Sequence, residues 1–162
     1  MKLNHDTVHT IIDRYGYYQY IVKLNKSLVC ECVNPTTKEP DLYCKKCLGT
    51  GYHIKIIKVF GASREGREFE SDRTQAFAVT PKIFYYKGFL DIGKDDILID
   101  SEDVYIIYTY QHHRGVKGHQ AFTRCVCPDL KLNKMIFLKM FKEVLNDKLR
   151  SKKWWCQIIH YR

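Results

Sequence analysis

The chain has 162 residues and a mass of 19.2 kDa, a length that fits one domain and excludes a large multidomain enzyme. Apolar residues make up 45% of the sequence and aromatic residues 14%, with only 9 Gly and 4 Pro, so the composition predicts a folded chain. No apolar run approaches the roughly 20 residues that span a bilayer, and the start lacks the basic-then-apolar order of a signal peptide. We therefore expect a protein made in a reducing compartment, without a membrane partner.

The formal net charge of +9 is concentrated near one end of the sequence. Residues 131–162 contain nine Lys and Arg but only two acids, Glu143 and Asp147, which places +7 of the +9 there. A basic balance indicates an acidic partner such as nucleic acid. Solubility, or docking on an acidic protein surface, explains a basic tail equally well.

The first part of the chain is predicted to contain a short structured segment followed by a loop-rich unit. Residues 7–22 are rich in β-branched and aromatic types around Gly16, which predicts a short helical or extended start followed by a strand. Residues 30–52 are dense in Cys, Pro and Gly, as expected of a unit held by something other than a core. Residues 53–60 have strand composition, and the polar, charged stretch 61–75 predicts an exposed loop or arm.

The second part of the chain reads as strands followed by one helix. Four strand-like segments, 77–86, 97–99, 104–113 and 121–127, are separated by turns, which predicts a mainly β fold: a small antiparallel β-barrel or sandwich. In residues 133–149 the apolar positions recur with helical period and form one face, with Asn133 as a candidate cap. The predicted organisation is an N-terminal segment 1–60, an arm 61–75, a barrel-like domain with a C-terminal helix over 76–149, and a basic aromatic tail 150–162.

The seven cysteines form a tight quartet, a close pair and a singleton: Cys30, Cys32, Cys44 and Cys47, then Cys125 and Cys127, then Cys156. An odd number in this arrangement is not a disulfide framework. In the quartet a CxC and a CxxC pair are 11 residues apart, so two loops can each offer two thiolates to one tetrahedral ion. The predicted occupant is Zn²⁺ in a structural role, because four thiolates leave no open coordination position.

Two glycines and one histidine bear on this predicted zinc knuckle, residues 30–52. Gly49 and Gly51 let the backbone turn so that its N–H groups approach the sulfurs. His53 is a candidate replacement ligand, although an ordinary strand histidine is the favoured interpretation. The alternative for the whole quartet is a set of scattered buried cysteines, which the surrounding turn formers disfavour.

Other candidate sites carry weaker signals. Cys125 and Cys127 are two apart and fall on one face of a strand, although half of a second metal site with His112, His113 or His119 stays open. No catalytic triad signature, phosphate-binding loop or dinucleotide fingerprint is present, so we expect a protein that is not an enzyme. Two lysines and two tryptophans in the tail either anchor it on a neighbouring subunit or contact nucleic acid: Lys152, Lys153, Trp154 and Trp155.

The sequence resembles two known families in part. The string CKKCLGTG, residues 44–51, resembles one CxxCxGxG unit of the zinc modules in DnaJ-type chaperones. Only one such unit is present and no J-domain motif accompanies it. This resemblance implies the metal geometry and not the chaperone function.

Across more of the chain, the sequence resembles neck proteins of tailed bacteriophages, the head-tail connector or head-closure type. The residues that carry this resemblance are the RYG string 14–16, the CxC pair, the EPD string 39–41 and the CxxCxGTGY string 44–52. The resemblance implies a small β-barrel with a projecting loop, a homo-oligomeric ring that contacts the portal or adaptor ring and tail proteins, and a virion component assembled in the host cytoplasm. Nonspecific DNA contact is compatible with that role.

Two alternatives remain open at the level of sequence. One is a zinc-ribbon nucleic-acid-binding protein or regulator, which the net charge and the tail favour. The other is a tail or baseplate adaptor, which shares the features of a neck protein.

Overall fold

The structure is a computed structural model that describes residues 5–65, 81–101, 103–114, 121–130, 134–150 and 160–161. Its elements in chain order are α1 (His5–Tyr15), β1 (Tyr17–Val29), β2 (Tyr52–Glu65), β3 (Lys82–Lys87), β4 (Ile97–Asp100), β5 (Asp103–Ile106), β6 (Thr109–His113), β7 (Phe122–Cys127), α2 (Lys134–Arg150) and β8 (His160–Tyr161). Seven antiparallel strands form one curled sheet in the order β5-β4-β1-β2-β3-β7-β6, and β8 pairs in parallel with β2. The prediction of a mainly β fold with a C-terminal helix is confirmed.

The two longest strands, β1 and β2, form a hairpin at the middle of the sheet. They pair antiparallel from Tyr17↔Gly61 to Asn25↔His53, and the register shifts before Val29 pairs with Tyr52. β1 also pairs with β4, and the end of β2 pairs with β3. The N-terminal segment therefore supplies the centre of the sheet, and the cysteine-rich residues 30–51 lie at the tip of the hairpin.

The sheet curls because β5, at one edge, forms hydrogen bonds with the residues that follow β7. The N–H of Ile106 donates to the carbonyl of Pro128 at 3.1 Å, and the N–H of Leu130 donates to the carbonyl of Val104 at 2.8 Å. Tyr105 forms an isolated bridge with Asp129 between these two bonds. The bonds pair the outer edge of β5 and give the sheet its barrel-like form.

Both faces carry buried side chains at the centre of the sheet, because side chains alternate between the faces along each strand. The inner face is filled by one cluster: Ile21, Ile57, Val59, Phe84, Tyr86, Leu90, Ile92, Leu98, Ile107, Cys125 and Cys127. On the outer face, α1 covers one area with Val8 and Ile12. α2 and Leu48 of the knuckle cover another area.

The predicted arm 61–75 is wrong for its first five residues, because Gly61–Glu65 is the end of β2. Gly61 lies against Tyr86, and a Cβ built at Gly61 would come within 2.4 Å of that ring. Gly61 is therefore required by close packing against β3 and does not mark a turn. Residues 66–75 lie outside the described residues.

Other elements differ from the prediction in their bounds. The N-terminal start is helical, because Val8 and Ile12, four residues apart, both pack onto the sheet. The third predicted strand is divided into β5 and β6. Between them, the N–H of Ile107 donates a hydrogen bond to the carbonyl of Asp96 at 2.8 Å. α2 begins and ends within one residue of the predicted helix, and Asn133 lies outside the described residues.

The two buried thiols of β7 should make the protein less stable at alkaline pH. Burial raises the pKa of Cys125 to about 12 and also raises the pKa of Cys127. The unfolded chain loses these protons near pH 9, whereas the folded chain keeps them, so the free energy of unfolding should fall as the pH rises from about 9 to about 12. The maximum slope is about 1.4 kcal/mol per pH unit for each thiol. Urea unfolding at a series of pH values measures the slope. Cys125→Ala should reduce it, and an unchanged slope would contradict the assignment.

Candidate metal centre

The knuckle is built from local turns between β1 and β2. Its base is closed by the N–H of Cys30, which donates to the carbonyl of Gly51 at 2.8 Å. The Asn34 side chain accepts from the N–H of Thr36 at 2.8 Å, and the Asp41 side chain accepts from the N–H of Tyr43 at 2.9 Å. These side-chain turns hold the two cysteine-bearing loops without an apolar core of their own.

The four predicted cysteines come together at one point. Their sulfur atoms all lie within 4.8 Å of one another. The Sγ atoms of Cys30 and Cys44 are 3.8 Å apart, and those of Cys32 and Cys47 are 3.5 Å apart. Four sulfurs at about 2.3 Å from a central ion form a tetrahedron with edges of about 3.8 Å, whereas a disulfide is about 2.05 Å long. The four side chains are free thiols, and their arrangement can bind a metal ion.

Backbone groups also point at the sulfurs. Burial raises the pKa of Cys47 to about 12, and hydrogen bonds from the backbone of Gly51 and Gly49 oppose that shift. Burial acts in the same direction on Cys44, but hydrogen bonds from the backbone of Cys47 and Lys46 help to outweigh it, and the pKa of Cys44 is lowered. The backbone therefore stabilises thiolates, the form that binds a metal ion.

Left-handed backbone at Gly49 and Gly51, just after the CxxC pair, makes this geometry possible. Gly49 has a φ of 75°, and a Cβ there would come within 2.9 Å of the carbonyl oxygen of Leu42. Gly51 has a φ of 79°. The expectation that these two glycines bring backbone toward the sulfurs is confirmed by their hydrogen bonds to Cys47.

Leu48 fixes the knuckle to the rest of the protein. Its side chain is 2% exposed and belongs to the outer cluster that contains Phe137 and Met140 of α2. It lies there despite a φ of 54°, which is unfavourable for a residue with a branched side chain. An ion pair between Lys45 and Glu143, with 2.9 Å between nitrogen and oxygen, also joins the knuckle to α2.

The candidate histidines that the structure describes, His53, His112 and His113, do not join the sulfur cluster. His53 is an exposed residue of β2 opposite Asn25, as favoured from the sequence. His112 contacts the Thr123 hydroxyl at 3.0 Å, and His113 stacks on Phe122 at 4.4 Å between ring centroids. Of the predicted site residues, His119, Cys156, Lys152, Lys153, Trp154 and Trp155 lie outside the described residues.

The cysteine pair on β7 is part of the core. Cys125 and Cys127 both face the buried inner cluster, as the alternation along a strand indicates. Within the described ranges, the quartet is the only group of three or more His, Cys, Asp or Glu side chains close enough to share an ion.

One polar feature had no signal in the sequence. The partly buried Lys82 forms an ion pair with the buried Asp100, at 2.5 Å between nitrogen and oxygen. Burial acts to lower the pKa of Lys82, but the hydrogen bond and charge of Asp100 outweigh it and raise that pKa. Lys82 belongs to β3 and Asp100 to β4, two strands that are separated in the sheet by β1 and β2.

Comparison with known proteins gives no relative: no protein-family model matches the chain, and no curated protein is similar to it. The described helices are all too short or too polar to cross a membrane.

Leu48→Ala tests the attachment of the knuckle. Because the side chain is buried, we expect the free energy of unfolding to fall by about 2–4 kcal/mol. Leu42→Ala is the matched control: Leu42 is a neighbouring knuckle leucine that is 42% exposed, and its truncation should cost much less. Chemical denaturation of the metal-loaded proteins measures both values. Equal losses would show that Leu48 does not carry the attachment.

Proposed function

We propose that the protein is a structural component of a tailed-bacteriophage virion and forms part of the neck ring that joins the capsid portal to the tail. We also propose that the knuckle holds one structural Zn²⁺. The observation that carries the proposal is a conjunction: the RYG, CxC, EPD and CxxCxGTGY strings, and a four-thiol cluster at the tip of the hairpin of a curled β-sheet. The curled sheet agrees with the small β-barrel that the neck-protein resemblance implies, and this agreement supports the proposal.

Zinc is the ion that suits four thiolates best. It tolerates a complete sulfur shell, undergoes no redox change and prefers tetrahedral geometry. Apart from Cys30, Cys47 and Leu48, the knuckle contributes no large buried apolar side chain. Metal binding can supply on the order of 10 kcal/mol of folding free energy, which offsets this lack of a core.

Exposed apolar side chains support assembly into a larger structure. Several large ones have substantial exposure on the described surface: Ile11, Tyr15, Tyr18, Leu28, Val29, Leu42, Tyr43, Phe89, Tyr108, Tyr110 and Met135. Interfaces of permanent assemblies are enriched in aromatic residues and Met. A subunit that makes contacts on several sides of a ring accounts for this distribution.

The surface of the knuckle does not favour the nucleic-acid-binding alternative. Two of its lysines have acidic partners, Lys46 with Glu31 at 2.7 Å and Lys45 with Glu143 at 2.9 Å. The knuckle therefore presents a mixed surface rather than a basic one. A tail or baseplate adaptor places the same demands on the fold as a neck protein, and location in the particle separates these two roles.

Native mass spectrometry tests metal content and assembly together. We expect one Zn²⁺ per chain and a ring or a concentration-dependent oligomer. Cys47→Ser should lose the ion, because three thiolates leave the shell incomplete, and should lose the assembly with it. Cys125→Ala is the control, since this buried thiol lies outside the cluster and its loss should leave the zinc in place. A strict monomer with zinc would contradict the neck role, and no zinc would contradict the knuckle.

A salt titration separates the neck protein from a DNA-binding regulator. A regulator should bind duplex DNA with a log–log slope of about −0.9 per neutralised phosphate and should show a preferred sequence. For a neck protein we expect weak binding without sequence preference. Fluorescence anisotropy with two duplexes of unrelated sequence measures both properties, and tight binding to one of them would overturn the proposed role.

A further inference from the structure

A groove runs between the knuckle and α2. Its volume is about 760 Å³. One wall is formed by Tyr43 and Lys45 of the knuckle, and the other by one side of α2 from Met135 to Glu143. The Lys45–Glu143 ion pair connects the two walls.

The groove has an apolar surface that nothing in the described residues covers. Met135 is 77% exposed and Tyr43 is 69% exposed, the highest values among the large hydrophobic side chains of the described surface. Met135 and Met140 are two of the three methionines of the chain. Unbranched, polarisable Met side chains adapt to different apolar partners and are common at binding surfaces, as is Tyr.

The charge around the groove is positive. Lys139 lies four residues after Met135, and Lys142 lies three residues after Lys139, so the three residues form one ridge on the outside of α2. No carboxylate of the described residues lies within ion-pair distance of Lys139 or Lys142. The acid of the groove, Glu143, is already paired with Lys45.

We propose that this groove docks an acidic segment of a partner protein that carries aliphatic or aromatic anchor residues. The anchors would pack on Met135 and Tyr43, and carboxylates beside them would meet Lys139 and Lys142. The apolar surface favours a protein segment over nucleic acid, whose phosphates need cations and gain nothing from methionine. This inference concerns a binding surface and does not rest on the neck role.

The docking surface depends on the metal centre. Tyr43 and Lys45 lie next to or between the ligands Cys44 and Cys47, so one wall of the groove exists only while the knuckle is folded. Removal of the ion should therefore remove the partner site as well.

The experiment uses the full-length metal-loaded protein and three fluorescein-labelled peptides of about twelve residues, which in extended form are longer than the groove wall from Met135 to Glu143. In the first peptide, glutamates alternate with Leu and Phe. The second has lysine at each glutamate, and the third has serine at each Leu and Phe. By fluorescence anisotropy we expect the first peptide to bind at least about tenfold more tightly than either of the others.

Variants locate the binding on the protein. Met135→Ser and the double variant Lys139→Glu with Lys142→Glu should each weaken binding of the first peptide by about tenfold. The matched controls are Tyr15→Ser, an exposed aromatic on α1, and Lys55→Glu with Lys94→Glu, which carry the same charge change outside the groove. We expect the controls to change affinity by less than about twofold.

Each other outcome overturns the proposal. Equal binding of the lysine peptide would remove the charge argument, and equal effects of control and groove variants would place the binding elsewhere. If Met135→Ser abolishes self-association of the protein in sedimentation analysis, the occupant is a second copy of the chain. If a short DNA duplex displaces the peptide from the groove, the occupant is nucleic acid. None of these results changes the zinc content, which the native mass spectra test separately.

Discussion

The antiparallel pairing of β1 with β2 is the interaction on which the rest of the structure depends. It extends over most of both strands and places them at the centre of the sheet, so that β4 can pair with β1 and β3 with β2. Both faces of the pair are buried: Ile21 and Ile57 fill the inside of the curl, while Val22 and Ile56 lie under α2. A shift of one residue in the register would exchange these faces, which makes the register strongly specified. The same pairing fixes the position of the knuckle, since both ends of the insert continue directly into paired strands.

The knuckle meets a different constraint, because four sulfurs within 4.8 Å of one another cannot all be thiolates without a cation. Burial alone favours the protonated thiol, as the raised pKa of Cys47 shows, whereas the backbone groups of Gly49 and Gly51 favour the thiolate. A bound dication would resolve this opposition, since it would replace the thiol protons and neutralise the sulfurs at the same time. Gly49 and Gly51 therefore contribute to the candidate centre through their backbone groups, together with the four cysteines. Leu48 joins the knuckle to the core, because it directly follows Cys47 and packs against residues of α2.

The parts of the structure that could be predicted are those with a local signal. The quartet was recognisable from ligand spacing alone, and α2 from the period of its apolar residues, because both features are properties of a short stretch of sequence. The end of β2 was misassigned, since Gly61 is small for a reason that lies on another strand, the ring of Tyr86. The division of β5 from β6 and the ion pair between Lys82 and Asp100 depend likewise on contacts between distant residues. Such contacts leave no pattern in a single sequence.

α2 serves two surfaces at once, and this explains its unusual pattern. Its inner side buries Phe137 and Phe141 against the sheet, as expected of a helix that covers a β-sheet. A helix with only this task would carry polar residues on its outer side, yet Met135 there is largely exposed. The apolar stripe is therefore wider than the core requires, and its extra part faces the knuckle. Because Lys45 pairs with Glu143 on the same side of the helix, the shape of this surface is tied to the folding of the metal centre. A metal ion in the knuckle would then do more than compensate for a small core: it would complete a surface that neither the knuckle nor the helix forms alone.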